Sequence, residues 1–180
     1  MNDVVELTLV RHTSVDVPRG VCYGATDVPL ASTFRDEAAV VAARLRELPP
    51  FDLVFTSPLS RCRRLASYCG YPDAEVDARL AEMDFGEWEM KRYDEISDPR
   101  LQLWFDDWLH VAPTGGESFM DQQRRFASFL HEHASGSRLL VFTHGGILTQ
   151  ARILCGMPPD EAFRTQPPYG AVIQCALHDL

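Results

Sequence analysis

Two histidines, two arginines and a serine stand where short apolar runs of this chain come to an end. Glu6-Leu7-Thr8-Leu9-Val10 leads into Arg11-His12-Thr13, and Leu53-Val54-Phe55-Thr56 leads into Ser57, with Arg61 four residues on. Arg138-Leu139-Leu140-Val141-Phe142-Thr143 leads into His144-Gly145-Gly146. Guanidinium groups pair with phosphate oxygens through two parallel N–H donors and stay charged at any working pH. Two such cations lower the pKa of an imidazole beside them, which keeps it neutral and able to attack. A second histidine can donate a hydrogen bond to developing charge. Residues of these types, brought to one place, suit the capture and transfer of a phosphoryl group.

The elements that must bring them together are legible as alternating strands and helices. The three apolar runs read as strands. Phe34, Ala38, Val41, Leu45 and Leu48 recur at helical spacing until Pro49-Pro50 ends the helix. Ser57-Pro58 reads as an N-cap followed by proline in the first helical position, opening a helix whose apolar face holds Cys62, Leu65, Ala66 and Cys69. Phe119, Phe126, Phe129 and Leu130 predict another helix, Ile147 to Cys155 a further one closed by Gly156, and Ala171 to Leu177 a last strand. This alternation predicts an α/β fold, a three-layer αβα sandwich around a mostly parallel central sheet, formed by one domain over residues 1–180. Ligands of such sheets bind beyond the carboxyl ends of the strands, where the histidines and arginines fall. Arg61 can lean back over its strand end, because helical side chains tilt toward the N-terminus. The stretch from Ala81 to Pro113 is aromatic and acidic and has no clear period. Its Trp104, Phe105 and Trp108 fit a lid, an interface or the core, of which the core is the commonest place for such residues.

Bulk properties remove several function classes. With 46% apolar and 24% charged residues in 180, the chain can bury a core without staples. A net charge of −9 and the lack of a basic run argue against nucleic acid as a partner. No apolar run is long enough to span a bilayer, and the first residues lack the pattern of a signal peptide, so no membrane partner and a cytoplasmic address are expected. The five cysteines, at 22, 62, 69, 155 and 175, include no CxxC pair, and none has arginine six residues later, which excludes a cysteine phosphatase loop. No Gly-x-Ser-x-Gly elbow accompanies His144-Gly145-Gly146, so a lipase-type oxyanion turn is excluded too. His131 and His133 point to different sides of a helix, and His110 and His178 lack carboxylate or cysteine at ligand spacing. No metal site and no cofactor are expected.

Leu9-Val10-Arg11-His12, Thr56-Ser57-Pro58-Leu59-Ser60-Arg61 and Phe142-Thr143-His144-Gly145-Gly146 resemble, in this order, three signature segments of the histidine phosphatase, or phosphoglycerate-mutase-like, superfamily. Glu82-Met83-Asp84-Phe85-Gly86-Glu87-Trp88-Glu89 resembles its acidic loop, and Thr114-Gly115-Gly116-Glu117-Ser118 a segment that precedes its last motif. The resemblance implies that His12 is phosphorylated, that Arg11, Arg61 and His144 hold phosphoryl oxygens, and that Glu82 is the proton donor, with Asp84 and Glu87 as rivals. Gly20-Val21-Cys22-Tyr23-Gly24-Ala25-Thr26-Asp27-Val28-Pro29-Leu30 is similar to the same region of α-ribazole phosphatases, which act on a nucleotide-like precursor in cobalamin synthesis. That similarity implies that Tyr23 and Gly24 line the substrate side of the pocket.

The chain also departs from the family pattern. Thr13 replaces the usual glycine after the nucleophile; its carbonyl can still orient the His12 ring, while its side chain is expected to narrow the pocket. Gly145 is expected beside the substrate. The asparagine that mutases carry a few residues later is missing, and Trp88-Glu89-Met90 stands where Trp-Glu-Gly is commoner. Nothing resembles the basic residues that hold a second phosphate in mutases. The expected activity is therefore hydrolysis of a small phosphomonoester. A broad-specificity sugar phosphatase, a phosphohistidine phosphatase and a phosphate-binding module without catalysis are the alternatives.

Overall fold

The computed structural model describes residues 4–133 and 137–177. Five strands form the sheet: β1 (Val5–Arg11), β2 (Leu53–Thr56), β3 (Glu75–Val76), β4 (Arg138–Thr143) and β5 (Val172–Leu177), in the order β3-β2-β4-β1-β5. The β1–β4, β2–β4 and β2–β3 pairs are parallel, and β5 runs antiparallel to β1 at the edge. The helices are α1 (Phe34–Arg46), α2 (Ser60–Tyr68), α3 (Arg100–Asp106), α4 (Phe119–His133), α5 (Gly145–Leu154) and α6 (Pro159–Arg164).

Alternation along the central strands builds both cores. Leu7, Leu9, Phe55, Leu139 and Val141 face Phe126, Phe129, Leu130, Ile147 and Leu148 of α4 and α5. Val10, Leu140 and Phe142 face Ala38, Val41, Leu45, Cys62 and Leu65 of α1 and α2. A parallel strand buried on both faces is apolar at nearly every position, as β4 is. Helices on either side of the sheet make the expected αβα sandwich.

A third apolar cluster caps the carboxyl end of the sheet. Cys22, Met83, Trp88, Trp104 and Phe119 are buried in it, with Phe85, Tyr93, Trp108 and Phe163 packed around them. Trp104 is thus core as expected, Trp108 is half-buried and Phe105 is 57% exposed. The aperiodic stretch is explained by short 3-10 turns at Gly86–Trp88 and Tyr93–Glu95 and by the seven-residue α3, which are too short to show a period.

Ser57 does not cap a helix. Helix α2 begins at Ser60, and the Ser57 hydroxyl instead accepts the Leu59 N–H at 3.3 Å within a tight Ser57-Pro58-Leu59 turn. Cys62 and Cys69 do share an apolar face, Cys62 fully buried and Cys69 partly so. No helix among the described residues is long and apolar enough to cross a membrane.

Candidate active site

Register brings the strand ends level. Arg11 pairs with Thr143 across β1–β4, and Thr56 pairs with Phe142 across β2–β4. The ladder continues one residue past the strands, with His12 N–H on the Thr143 carbonyl at 3.0 Å and Ser57 N–H on the Phe142 carbonyl at 2.9 Å. His12, Ser57 and His144 therefore leave the sheet side by side. The His12 and His144 rings meet edge to face, 5.2 Å between centroids.

The His12 ring is fixed by one bond. Its Nδ1 lies 2.8 Å from the Thr13 carbonyl oxygen, which can only accept, so Nδ1 carries the proton and Nε2 keeps its lone pair. Burial, then the charges of Arg61 and Arg11, lower its pKa to about 3 against the Thr13 bond that raises it. His12 is a neutral base at any ordinary pH. His144 is completely buried, and burial followed by its charged neighbours holds its pKa well below 6.5. Its Nε2 is 2.7 Å from the Ser57 hydroxyl and 3.4 Å from the Cys62 thiol.

Both arginines are held by backbone carbonyls rather than by carboxylates. Arg61 donates to Gly24 O at 2.6 Å and Thr26 O at 2.9 Å, and Arg11 donates to Pro167 O at 2.5 Å. A carbonyl positions a guanidinium without cancelling its charge. The Nε–H groups of both are buried and have no hydrogen-bond partner among the described residues. Donors so placed are satisfied by an anion. Two tyrosines lie over these cations, Tyr169 over Arg11 at 4.3 Å and Tyr23 over Arg61 at 5.6 Å, and their hydroxyls meet at 2.6 Å.

Glu82 faces His12 across a cavity of about 290 Å³ and is the sole carboxylate among its described lining residues. It accepts Met83 N–H at 2.9 Å, Gln122 Nε2–H at 3.0 Å and Gly146 N–H at 3.1 Å. Asp84 and Glu87 do not line the cavity. Asp84 instead closes its own turn by accepting Gly86 N–H. The Glu117 of the Gly115-Gly116-Glu117-Ser118 segment is structural. It accepts Asp84 N–H and pairs with Arg125, whose other N–H groups hold the Arg79 and Glu82 carbonyls.

Not every expected residue touches this cavity. Tyr23 lines it, but Gly24, Thr13 and Gly145 do not, and neither do Arg61 and His144, which are fully buried beside His12. A Cβ at Gly24 would overlap the Met83 carbonyl oxygen, so this glycine is there for close backbone packing beneath Arg61. The Thr13 side chain is buried away from the cavity and does not narrow it. Gly145 lets the Arg11 guanidinium lie 3.1–3.3 Å from where a Cβ would be, while Gly146 is the glycine that faces the cavity. Sequence reasoning missed Gln122, Tyr169 and Gln166, which line it. Only a glutamine on the otherwise apolar buried face of α4 could have signalled Gln122.

Among the described residues, His110, His131 and His133 do not line the cavity. His133 packs on Phe55 and Phe129, His110 does have a carboxylate partner, Asp107 at 2.8 Å on the surface, and His178 lies outside the described residues. Among the described residues no group of three or more His, Cys, Asp or Glu could hold a metal ion.

Comparison with known proteins gives the same arrangement a family. The chain is 30% identical over 179 residues to the adenosylcobalamin/alpha-ribazole phosphatase of Escherichia coli (strain K12), covering 92% of this chain and 87% of that protein. In fold it is similar to the alpha-ribazole phosphatase of Shigella flexneri, with a TM-score of 0.82 at 24% identity over 97% of this chain and 95% of that one. It is also similar to a phosphoglycerate mutase of Thermus thermophilus, with a TM-score of 0.77 at 29% identity over 94% and 91%. The profile of the histidine phosphatase superfamily (branch 1) matches residues 7–179, and with that match the strand-end histidines find their setting: the chain belongs to this superfamily.

Proposed function

We propose that the chain, acting as one catalytic domain, hydrolyses α-ribazole 5′-phosphate through a phosphohistidine on His12. The observation that carries the mechanism is the His12 ring, with Nδ1 locked on the Thr13 carbonyl and Nε2 open beside two arginines whose Nε–H donors are unpaired. Nε2 attacks phosphorus, the ester P–O bond breaks, and the alkoxide leaves with a proton from Glu82. Water then attacks the phosphohistidine, Glu82 takes a proton from that water, the P–N bond breaks and inorganic phosphate departs. Arg11, Arg61 and His144 hold the phosphoryl oxygens in both steps, where positioning and charge carry most of the catalysis. No metal enters either step.

The substrate follows from the cavity and from the relatives. Beyond His12 its lining includes Phe85, Trp104, Trp108, Phe119 and Phe163 together with Tyr23, Gln122 and Gln166, a slot that suits a planar aromatic base carried on a polar ribose. Arg11 is the one arginine or lysine among its described lining residues, so a second anionic group on the substrate would find no partner. That speaks against a mutase acting on phosphoglycerate. A small phosphomonoester is the partner in this reading, and the cytoplasm its address.

Hydrolysis of α-ribazole phosphate, p-nitrophenyl phosphate and 3-phosphoglycerate in excess chelator tests the proposal. Strong preference for the first supports it; equal, slow hydrolysis of all three withdraws the substrate, and activity lost to chelator withdraws the metal-free chemistry. His12→Ala should abolish the acid-labile phosphoenzyme, and normal turnover by that variant would refute the mechanism. Glu82→Gln should accept phosphate slowly and fail to release it.

A further inference from the structure

Glu89 stands outside the cavity, yet its carboxylate gathers five donors. Gly24 N–H at 3.0 Å, Ala25 N–H at 2.9 Å, Thr26 N–H at 3.3 Å and the Thr26 hydroxyl at 2.6 Å all point at it, as does Phe85 N–H at 3.1 Å. Successive backbone N–H groups turned toward one anion form a nest. The carbonyls of the same segment serve Arg61: Gly24 O and Thr26 O receive its two terminal nitrogens. The Phe85 bond ties the nest to the loop that begins at Glu82, and Gly24 lies directly on the Met83 carbonyl of that loop.

We infer that Glu89 is a positioning residue, which fixes the Arg61 guanidinium through the Gly24–Thr26 backbone and joins it to the loop of the proposed acid. The inference rests on the reading that Arg61 holds the phosphoryl group. A three-residue loop rich in small side chains has little rigidity of its own, and α2 holds only the stem of Arg61. The carboxylate supplies what the loop lacks, since hydrogen bonds to an ionised acceptor are about twice as strong as neutral ones. Displacing the two carbonyls by about 1 Å would carry the guanidinium with them, and misplacements of that size cost on the order of 100-fold in rate.

The test is a double-mutant cycle on Glu89→Gln and Arg61→Ala, reading kcat/KM with p-nitrophenyl phosphate and the competitive inhibition constant of inorganic phosphate. Glu89→Gln alone should lower kcat/KM by about tenfold or more and weaken phosphate inhibition in step. In the Arg61→Ala background the same change should shift either quantity by no more than about twofold, because the group it positions is gone. Losses that multiply in the double variant, or an unchanged phosphate constant in Glu89→Gln, would show a merely structural residue and overturn the inference. An Arg61→Ala variant with unaltered activity and phosphate binding would overturn the phosphoryl reading as well, so the two failures are distinct. Should Glu89→Gln not fold, Glu89→Asp keeps the charge while shortening the reach, and the same cycle applies.

Discussion

Acidification should destabilise this protein through His12 before it touches the surface carboxylates. In the unfolded chain the imidazole titrates near 6.5, while in the folded site its pKa is about 3, so between these values the unfolded state binds more protons. Stability contributed by this difference is complete above pH 6.5 and falls as the pH drops. At pH 5 the loss comes to about 2 kcal/mol relative to pH 7, from 1.36 kcal/mol per unit over the roughly 1.5 units separating pH 5 from the unfolded value. His144 is shifted in the same direction by its burial and adds to the slope. The lowered carboxylates, such as Asp77 and Asp98, lose their share only as the pH falls below about 4. Urea unfolding at pH 7, 6 and 5, for the native protein and for His12→Gln, isolates the histidine's contribution. The native curve should fall more steeply by about 2 kcal/mol over this range, and parallel curves would refute the claim that His12 is buried neutral. The same shift predicts that kcat/KM shows no acid limb between pH 5 and 7 from protonation of His12.

Three substitutions probe the surroundings of the site. Gly24→Ala places a methyl group onto the Met83 carbonyl oxygen and should lower kcat/KM by about 100-fold while leaving the global fold intact by circular dichroism; near-normal activity would show that the loop can yield. Tyr169→Phe loses only the hydroxyl bond to Tyr23 and should stay within about threefold of native kcat/KM, whereas Tyr169→Ala also uncovers Arg11 and should lose about tenfold; equal kinetics for the two would deny the ring a role. Met90 has φ 63°, a left-handed backbone that glycine adopts freely, and its side chain is 49% exposed. Met90→Gly should therefore raise stability by up to about 1 kcal/mol in urea unfolding, and a clear loss would mean that the side chain does more than its exposure suggests.

The site's charged half was legible because parallel strands leave plain marks. Runs such as Leu139 to Phe142 are apolar at every position, and each ends abruptly at a polar residue. Once three such runs lie in one parallel sheet, their carboxyl ends share an edge, and Arg11, His12, Ser57 and His144 follow. Arg61 comes with them because its offset into α2 is short. What the pattern could not separate was lining from support. Gly24 and Gly145 both belong to the expected segments, yet each serves by letting backbone or guanidinium approach closely, a role that depends on atoms far away in sequence. The helix start differs from expectation for a related reason: Ser57-Pro58 has the composition of a cap, but the serine hydroxyl is taken by Leu59 N–H and His144.

Specificity was the least legible part, and Met90 shows why. Trp88-Glu89-Met90 departs from the glycine usual at its third position, which leaves the path of the loop open; Met90 adopts the left-handed backbone itself. The force behind that choice is the Glu89 carboxylate, whose bonds to Gly24, Ala25, Thr26 and Phe85 outweigh a strain of about 1–2 kcal/mol at a single residue. No local propensity encodes such a balance, since four of the five donors lie more than sixty residues away. The aromatic wall has the same character. Trp104, Phe119 and Phe163 come from three separate helices and Phe85 from a loop, and none is periodic with another. They form one slot only after the 3-10 turns have folded the middle of the chain over the sheet edge. The catalytic groups are thus set by the regular scaffold, whereas the slot for the leaving group is set by irregular backbone held in place by part-buried carboxylate bonds.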